Sequence, residues 1–199
     1  MSLDGDHRAR SGVLRFYRAC SRQESLSDAL LGQGRAARVL AASKPNGLLL
    51  NVEAPELTFF IADGMNITSQ LVSVITDPKV HAALKKSLRD DIRISVHAQH
   101  PVEFLGDIRD HRFDLMTFGE LDPCAARLAA ASLAPGGLLA VLANGDAEGL
   151  DIEELERALS DCDMLTTSVT QSVLVAVRAP DHLTVKRRGG RRKRPPIRV

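Results

Sequence analysis

Five short apolar runs, each followed by a signal that opens a helix, constrain the fold of this chain more than any other feature. Leu48 to Val52, Leu71 to Ile75, Ile92 to Val96, Phe113 to Phe118 and Leu138 to Leu142 are the runs. Runs this short with little alternation suit strands buried on both faces. Pro55, Asp77-Pro78, His100-Pro101, Asp122-Pro123 and Asp151 follow them in turn. An Asp before a Pro is a strong opening, because the carboxylate caps free amides and proline has none to cap. The helices are expected over Pro55 to Ala62, Pro78 to Leu88, Pro101 to Ile108, Pro123 to Leu133 and Ile152 to Leu159. Such alternation implies right-handed strand–helix–strand units and a largely parallel sheet covered on both sides, an α/β domain.

The chain ends differently. Met164 to Thr170 and Val173 to Arg178 read as two strands joined by two residues. So short a link cannot hold a crossover, so this pair is antiparallel. Before the alternation, Ser25 to Ser43 has helical spacing, weakened in the middle by Gly32 and Gly34 and ended by Lys44-Pro45-Asn46-Gly47. The division expected is a flexible basic start over 1–24 with one helix turn, an α/β domain over 25–180, and a disordered basic tail over 181–199.

Charge supports that division. Val185 to Val199 holds eight of the 26 basic residues and no acidic one. The rest of the chain sets 18 basic against 25 acidic residues, a net charge of −7. A tail this charged, with Gly189-Gly190 and Pro195-Pro196, cannot build a core. It is expected to touch nucleic acid or another polyanion without sequence preference, since no aromatic residue is interleaved to stack on bases. No run of ~18 apolar residues marks a membrane span, and the polar N-terminus has no signal-peptide core. Cys20, Cys124 and Cys162 have no metal or redox spacing. A cytoplasmic chain is the expectation.

The order of elements resembles the class I S-adenosylmethionine-dependent methyltransferases, which close on an antiparallel pair. Three stretches resemble the O-methyltransferase branch of the catechol and caffeoyl-CoA enzymes. They are Leu71-Val72-Ser73-Val74-Ile75-Thr76-Asp77-Pro78, Phe113-Asp114-Leu115-Met116-Thr117-Phe118 and Leu133-Ala134-Pro135-Gly136-Gly137-Leu138-Leu139. The likeness spans roughly 25–178. It implies a Rossmann-like methyltransferase sheet of seven strands, mostly parallel, a cofactor crevice at the strand ends, and a homodimer.

The departures from that family matter more. Its first strand is followed by a glycine-rich loop, where bare backbone approaches the cofactor. Here the loop is Asn51-Val52-Glu53-Ala54-Pro55-Glu56, with no glycine. An acid at the end of the second strand holds the ribose in the family, and Ile75 stands there in this chain. The family's metal ligands fall on Gly119, Leu142 and Ala143, with Glu120 and Asn144 one residue away, so no metal is expected.

Two functions follow from the resemblance. One is an O-methyltransferase relative that has lost S-adenosylmethionine chemistry and serves as a non-catalytic binding or assembly module; the three departures favour it. The alternative is a functional S-adenosylmethionine-dependent O-methyltransferase with an atypical cofactor loop. If the cofactor binds, Glu53, Asp77, Ala98 and Gly119 line its crevice by position in the fold. No catalytic residue is assigned. His97 and His100, and the cluster Asp107, Asp110, His111 and Asp114, are the other polar groups near the strand ends and turns. A polar strand end and a solvated turn account for them.

Overall fold

The computed structural model describes residues 4–21, 26–108, 112–142, 152–169 and 173–179. Seven strands form one sheet: β1 (Leu48–Val52), β2 (Gln70–Val74), β3 (Ile94–His97), β4 (Phe113–Phe118), β5 (Leu133–Leu142), β6 (Met164–Val169) and β7 (Val173–Arg178). Their spatial order is β3-β2-β1-β4-β5-β7-β6. The first five strands pair in parallel. β7 runs antiparallel to both β5 and β6, and its pairing with β6 is the one the short link between them requires.

Helices lie between and before the strands: α1 (Asp4–Ala19), α2 (Asp28–Ala42), α3 (Pro55–Gly64), α4 (Pro78–Ser87), α5 (Pro101–Asp107), α6 (Pro123–Ser132) and α7 (Ile152–Ser160). Strand residues alternate between two cores, as period two demands. Leu49 and Leu115 join the core under α1, α2, α3 and α4. Leu50 and Met116 join the core under α5, α6 and α7.

The capping signals act as their chemistry requires. Asp77 Oδ1 accepts from the Lys79 and Val80 amides at the start of α4. Asp122 Oδ1 does the same for Cys124 and Ala125 at the start of α6. His100 Nδ1 accepts from the Val102 amide at the start of α5. Ser27 caps α2 through the Leu30 amide.

Three expectations change. The N-terminal part of the chain is not a single helix turn: α1 has 16 residues and packs Ala9, Val13, Phe16 and Tyr17 into the core. Those four positions recur as one helical face, which the surrounding arginines obscure in the sequence. α2 is also unbroken across Gly32 and Gly34. A Cβ on Gly34 would lie 2.6 Å from atoms of the Phe60 ring, so the glycine lets α2 approach α3. Finally, β5 starts at Leu133 rather than Leu138, so Pro135-Gly136-Gly137 lies within it, and a shift of register against β4 absorbs the extra residues.

Just before β3, Arg93 forks onto Asp91, with Nε 2.8 Å from Oδ1 and Nη2 2.5 Å from Oδ2. The guanidinium holds the Asp91 carboxyl below its ordinary range. No described helix is long and apolar enough to cross a membrane. The basic tail over 181–199 and the cap at Asp151 lie outside the described residues.

Candidate functional site

In an open parallel sheet, ligands bind beyond the strand C-termini where the strand order reverses. Here that point lies between β1 and β4, with β2 and β3 on one side and β5 on the other. The register aligns Val52 with Val74 and Phe118, and Val74 with His97. The next residues along each strand are therefore Glu53, Ile75, Ala98 and Gly119. They form a row across the edge, and three of the four expected site residues stand in it. The ladder continues through them: Glu53 N donates to Val74 O, Ile75 N to His97 O, and Gly119 N to Val52 O.

Glu53 turns the chain. Its φ is +53°, in the left-handed region that glycine adopts without penalty. Its side chain crosses from the end of β1 to the end of β2. There Oε1 accepts from the Thr76 amide at 2.7 Å and from the Thr76 hydroxyl. The Glu53 carbonyl faces the other way, toward β4. A Cβ placed on Gly119 would lie 2.7 Å from it and 3.4 Å from Ala54 Cβ. So the turn after β1 and the turn after β4 touch, and Gly119 is the residue that permits it. Gly119 itself is buried.

The remaining expected residues behave differently. Asp77 is exposed and spends its carboxylate on the α4 amides. Ala98 is exposed just past β3 and contributes no polar atom from its side chain. Ile75 is 1% exposed and belongs to the core, so the end of β2 offers an aliphatic group rather than an acid.

Beneath this row lies a polar network that a reading of the sequence missed. Asn51 is fully buried in an otherwise aliphatic strand. Its Nδ2 donates to the Ala54 carbonyl at 2.7 Å and to Thr58 Oγ1 at 2.9 Å. Its Oδ1 accepts from Thr117 Oγ1 at 2.8 Å. Thr58 Oγ1 lies 3.2 Å from Ser73 Oγ. The network therefore joins β1, β2, β4 and α3 and fixes the turn at Ala54 from below. An amide inside an apolar run was the visible signal, since a buried polar group demands partners.

The other polar candidates have structural partners. His97 packs its ring 5.6 Å from that of Phe104 and places Nε2 3.3 Å from Ser95 Oγ. Asp107 accepts from Gln99 Nε2. Asp114 accepts from the Leu48 amide at 2.9 Å, joining the starts of β4 and β1. Asp110, His111, Ala143 and Asn144 lie outside the described residues. Glu120 is exposed and Leu142 is buried in the core. Among the described residues, no three His, Cys, Asp or Glu side chains come together as a group that could hold a metal ion.

The strand order and the closing antiparallel pair match solved structures across most of the chain. An O-methyltransferase from Bacillus cereus in complex with SAH superposes with a TM-score of 0.63 at 13% identity, covering 86% of this chain and 90% of that one. Cofactor-bound Rv0187 from MTB gives 0.69 at 17% identity, covering 90% and 94%. The O-methyltransferase TomG from Streptomyces achromogenes, in complex with SAM, gives 0.62 at 14% identity, covering 86% and 89%. This chain has the class I methyltransferase fold. No family model and no curated protein matches it in sequence. The likeness is carried by the arrangement of strands and helices.

Proposed function

We propose that this chain keeps the methyltransferase fold without its chemistry and acts as a non-catalytic binding or assembly module. The observation that carries this reading is the turn after β1. Glu53 stands at positive φ in a turn without glycine, its carboxylate on Thr76 and its carbonyl against Gly119.

A nucleotide-like cofactor at this edge needs bare backbone in that turn and an acceptor for its ribose hydroxyls at the end of β2. The turn from Asn51 to Glu56 has a Cβ at every position, and Pro55 removes one amide donor. Ile75 accepts no hydrogen bond, and a buried hydroxyl left unpaired costs about 1–3 kcal/mol. The residues present do not fit S-adenosylmethionine.

The second reading is a functional S-adenosylmethionine-dependent O-methyltransferase. It is favoured by the SAM- and SAH-bound neighbours, and by the fact that one carboxylate, that of Glu53, does reach the end of β2.

A thermal-shift titration separates the two. A ligand at about 100 times its dissociation constant adds roughly 2.7 kcal/mol to native stability. For a domain of this size that raises the melting temperature by very roughly 5–10 °C. The non-catalytic reading expects no shift with millimolar S-adenosylmethionine or S-adenosylhomocysteine, with or without Mg²⁺. A saturable rise of that size supports the enzyme instead.

A further inference from the structure

Glu53 combines a disfavoured backbone with a carboxylate oxygen, Oε1, that accepts two hydrogen bonds. A left-handed φ costs an L-residue roughly 1–2 kcal/mol, and such a conformation persists only where its surroundings over-determine it. Those surroundings are on both sides of the residue. Glu53 N donates to Val74 O at 3.0 Å, and Asn51 Nδ2 holds the next carbonyl, that of Ala54, at 2.7 Å. The carboxylate then takes two donors from one residue, the amide and the hydroxyl of Thr76.

Thr76 lies just past β2 and is exposed. The bond thus adds a side-chain tie between the ends of β1 and β2, beside the point where the strand order reverses. The same turn brings the Glu53 carbonyl within contact of Gly119. We propose that Glu53 and Thr76 form a latch, which holds the turn after β1 against Gly119 at the switch point. A ligand that uses the Glu53 carboxylate must first displace Thr76 from it. The latch deepens the non-catalytic reading above and rests on it.

Hydrogen exchange on the full chain, without ligand, tests the latch. Glu53→Ala removes the carboxylate and keeps the backbone cost. Glu53→Gly removes both. With a latch, both variants exchange at least tenfold faster than the wild type over residues 53–57 and 119–121, while β5 and β7 are unchanged and report an intact fold. Without one, Glu53→Gly only relieves strain, so its turn exchanges at the wild-type rate or slower; that outcome overturns the proposal. Thr76→Val retains the amide donor and loses the hydroxyl, and is expected to give the same pattern at smaller amplitude. Should the Glu53 variants fail to fold, Thr76→Pro removes both the amide and the hydroxyl donor, and wild-type exchange rates over 53–57 and 119–121 in that variant overturn the latch on their own. Because no cofactor enters this readout, a failed latch leaves the non-catalytic reading standing. Cofactor binding by the wild type sinks that reading and leaves the exchange pattern to be judged by itself.

Discussion

Asn51 shows how one side chain can organise a site it does not face. A primary amide has two donors and two acceptor lone pairs, and burial obliges it to use them. Asn51 reaches Thr58 and Thr117, which lie 7 and 66 residues away in the chain, and it also holds the Ala54 carbonyl. Asn51→Ala strips partners from all three and leaves a void in a fully buried strand. We expect it to destabilise the domain by about 2–3 kcal/mol. Urea denaturation checks this; a loss under ~0.5 kcal/mol would show that the network is replaced by water or relaxes away. The position of Asn51 was legible, because Leu48 to Val52 reads as a buried strand. The rest of the network was not, because Ser73 and Thr117 are ordinary residues of their own strands and only the sheet register sets them alongside. Glu53 was legible in a similar half-measure. The missing glycine pointed to the turn, but nothing local revealed that the carboxylate would close on Thr76.

Among the elements, those opened by proline could be read closely, and those set by packing could not. α4, α5 and α6 begin at Pro78, Pro101 and Pro123, as the Asp-Pro and His-Pro pairs require. α1 was read as a flexible start because arginines interrupt its apolar face. In α2 the two glycines look equivalent in sequence, yet their surroundings differ. A Cβ on Gly34 meets the Phe60 ring at 2.6 Å, whereas a Cβ on Gly32 meets nothing within 4 Å. The substitutions should therefore differ, only the first being stabilising. Gly32→Ala gains helix propensity alone, about 1 kcal/mol. Gly34→Ala gains the same but forces Phe60 out of place, a cost of about 1–3 kcal/mol that cancels or exceeds the gain. Melting temperatures of the two variants check this. Stabilisation by Gly34→Ala to the same extent as by Gly32→Ala would mean that α2 and α3 can separate without loss.

On the scale of the whole molecule, strand–helix alternation and the two-residue link before β7 together specified the sheet: five parallel strands and an antiparallel close. The tail is a separate matter of charge. Eight basic residues lie within 185–199, attached to a body of net charge −7. Counterion release makes contact with a polyanion steeply salt-dependent. We predict that the full chain is retained on heparin at low salt and released as salt rises, and that a chain ending at residue 180 is not retained. Equal retention of both would place the contact on the folded body. The central claim is the proposal that the edge at Glu53, Ile75 and Gly119 keeps the fold of a methyltransferase without its cofactor chemistry. Titration calorimetry of the full chain with S-adenosylhomocysteine addresses it most directly. The account predicts no saturable heat up to millimolar ligand at more than one temperature. A one-to-one isotherm with a micromolar dissociation constant would contradict it, and would mean that the turn at Glu53 opens to admit the cofactor after all.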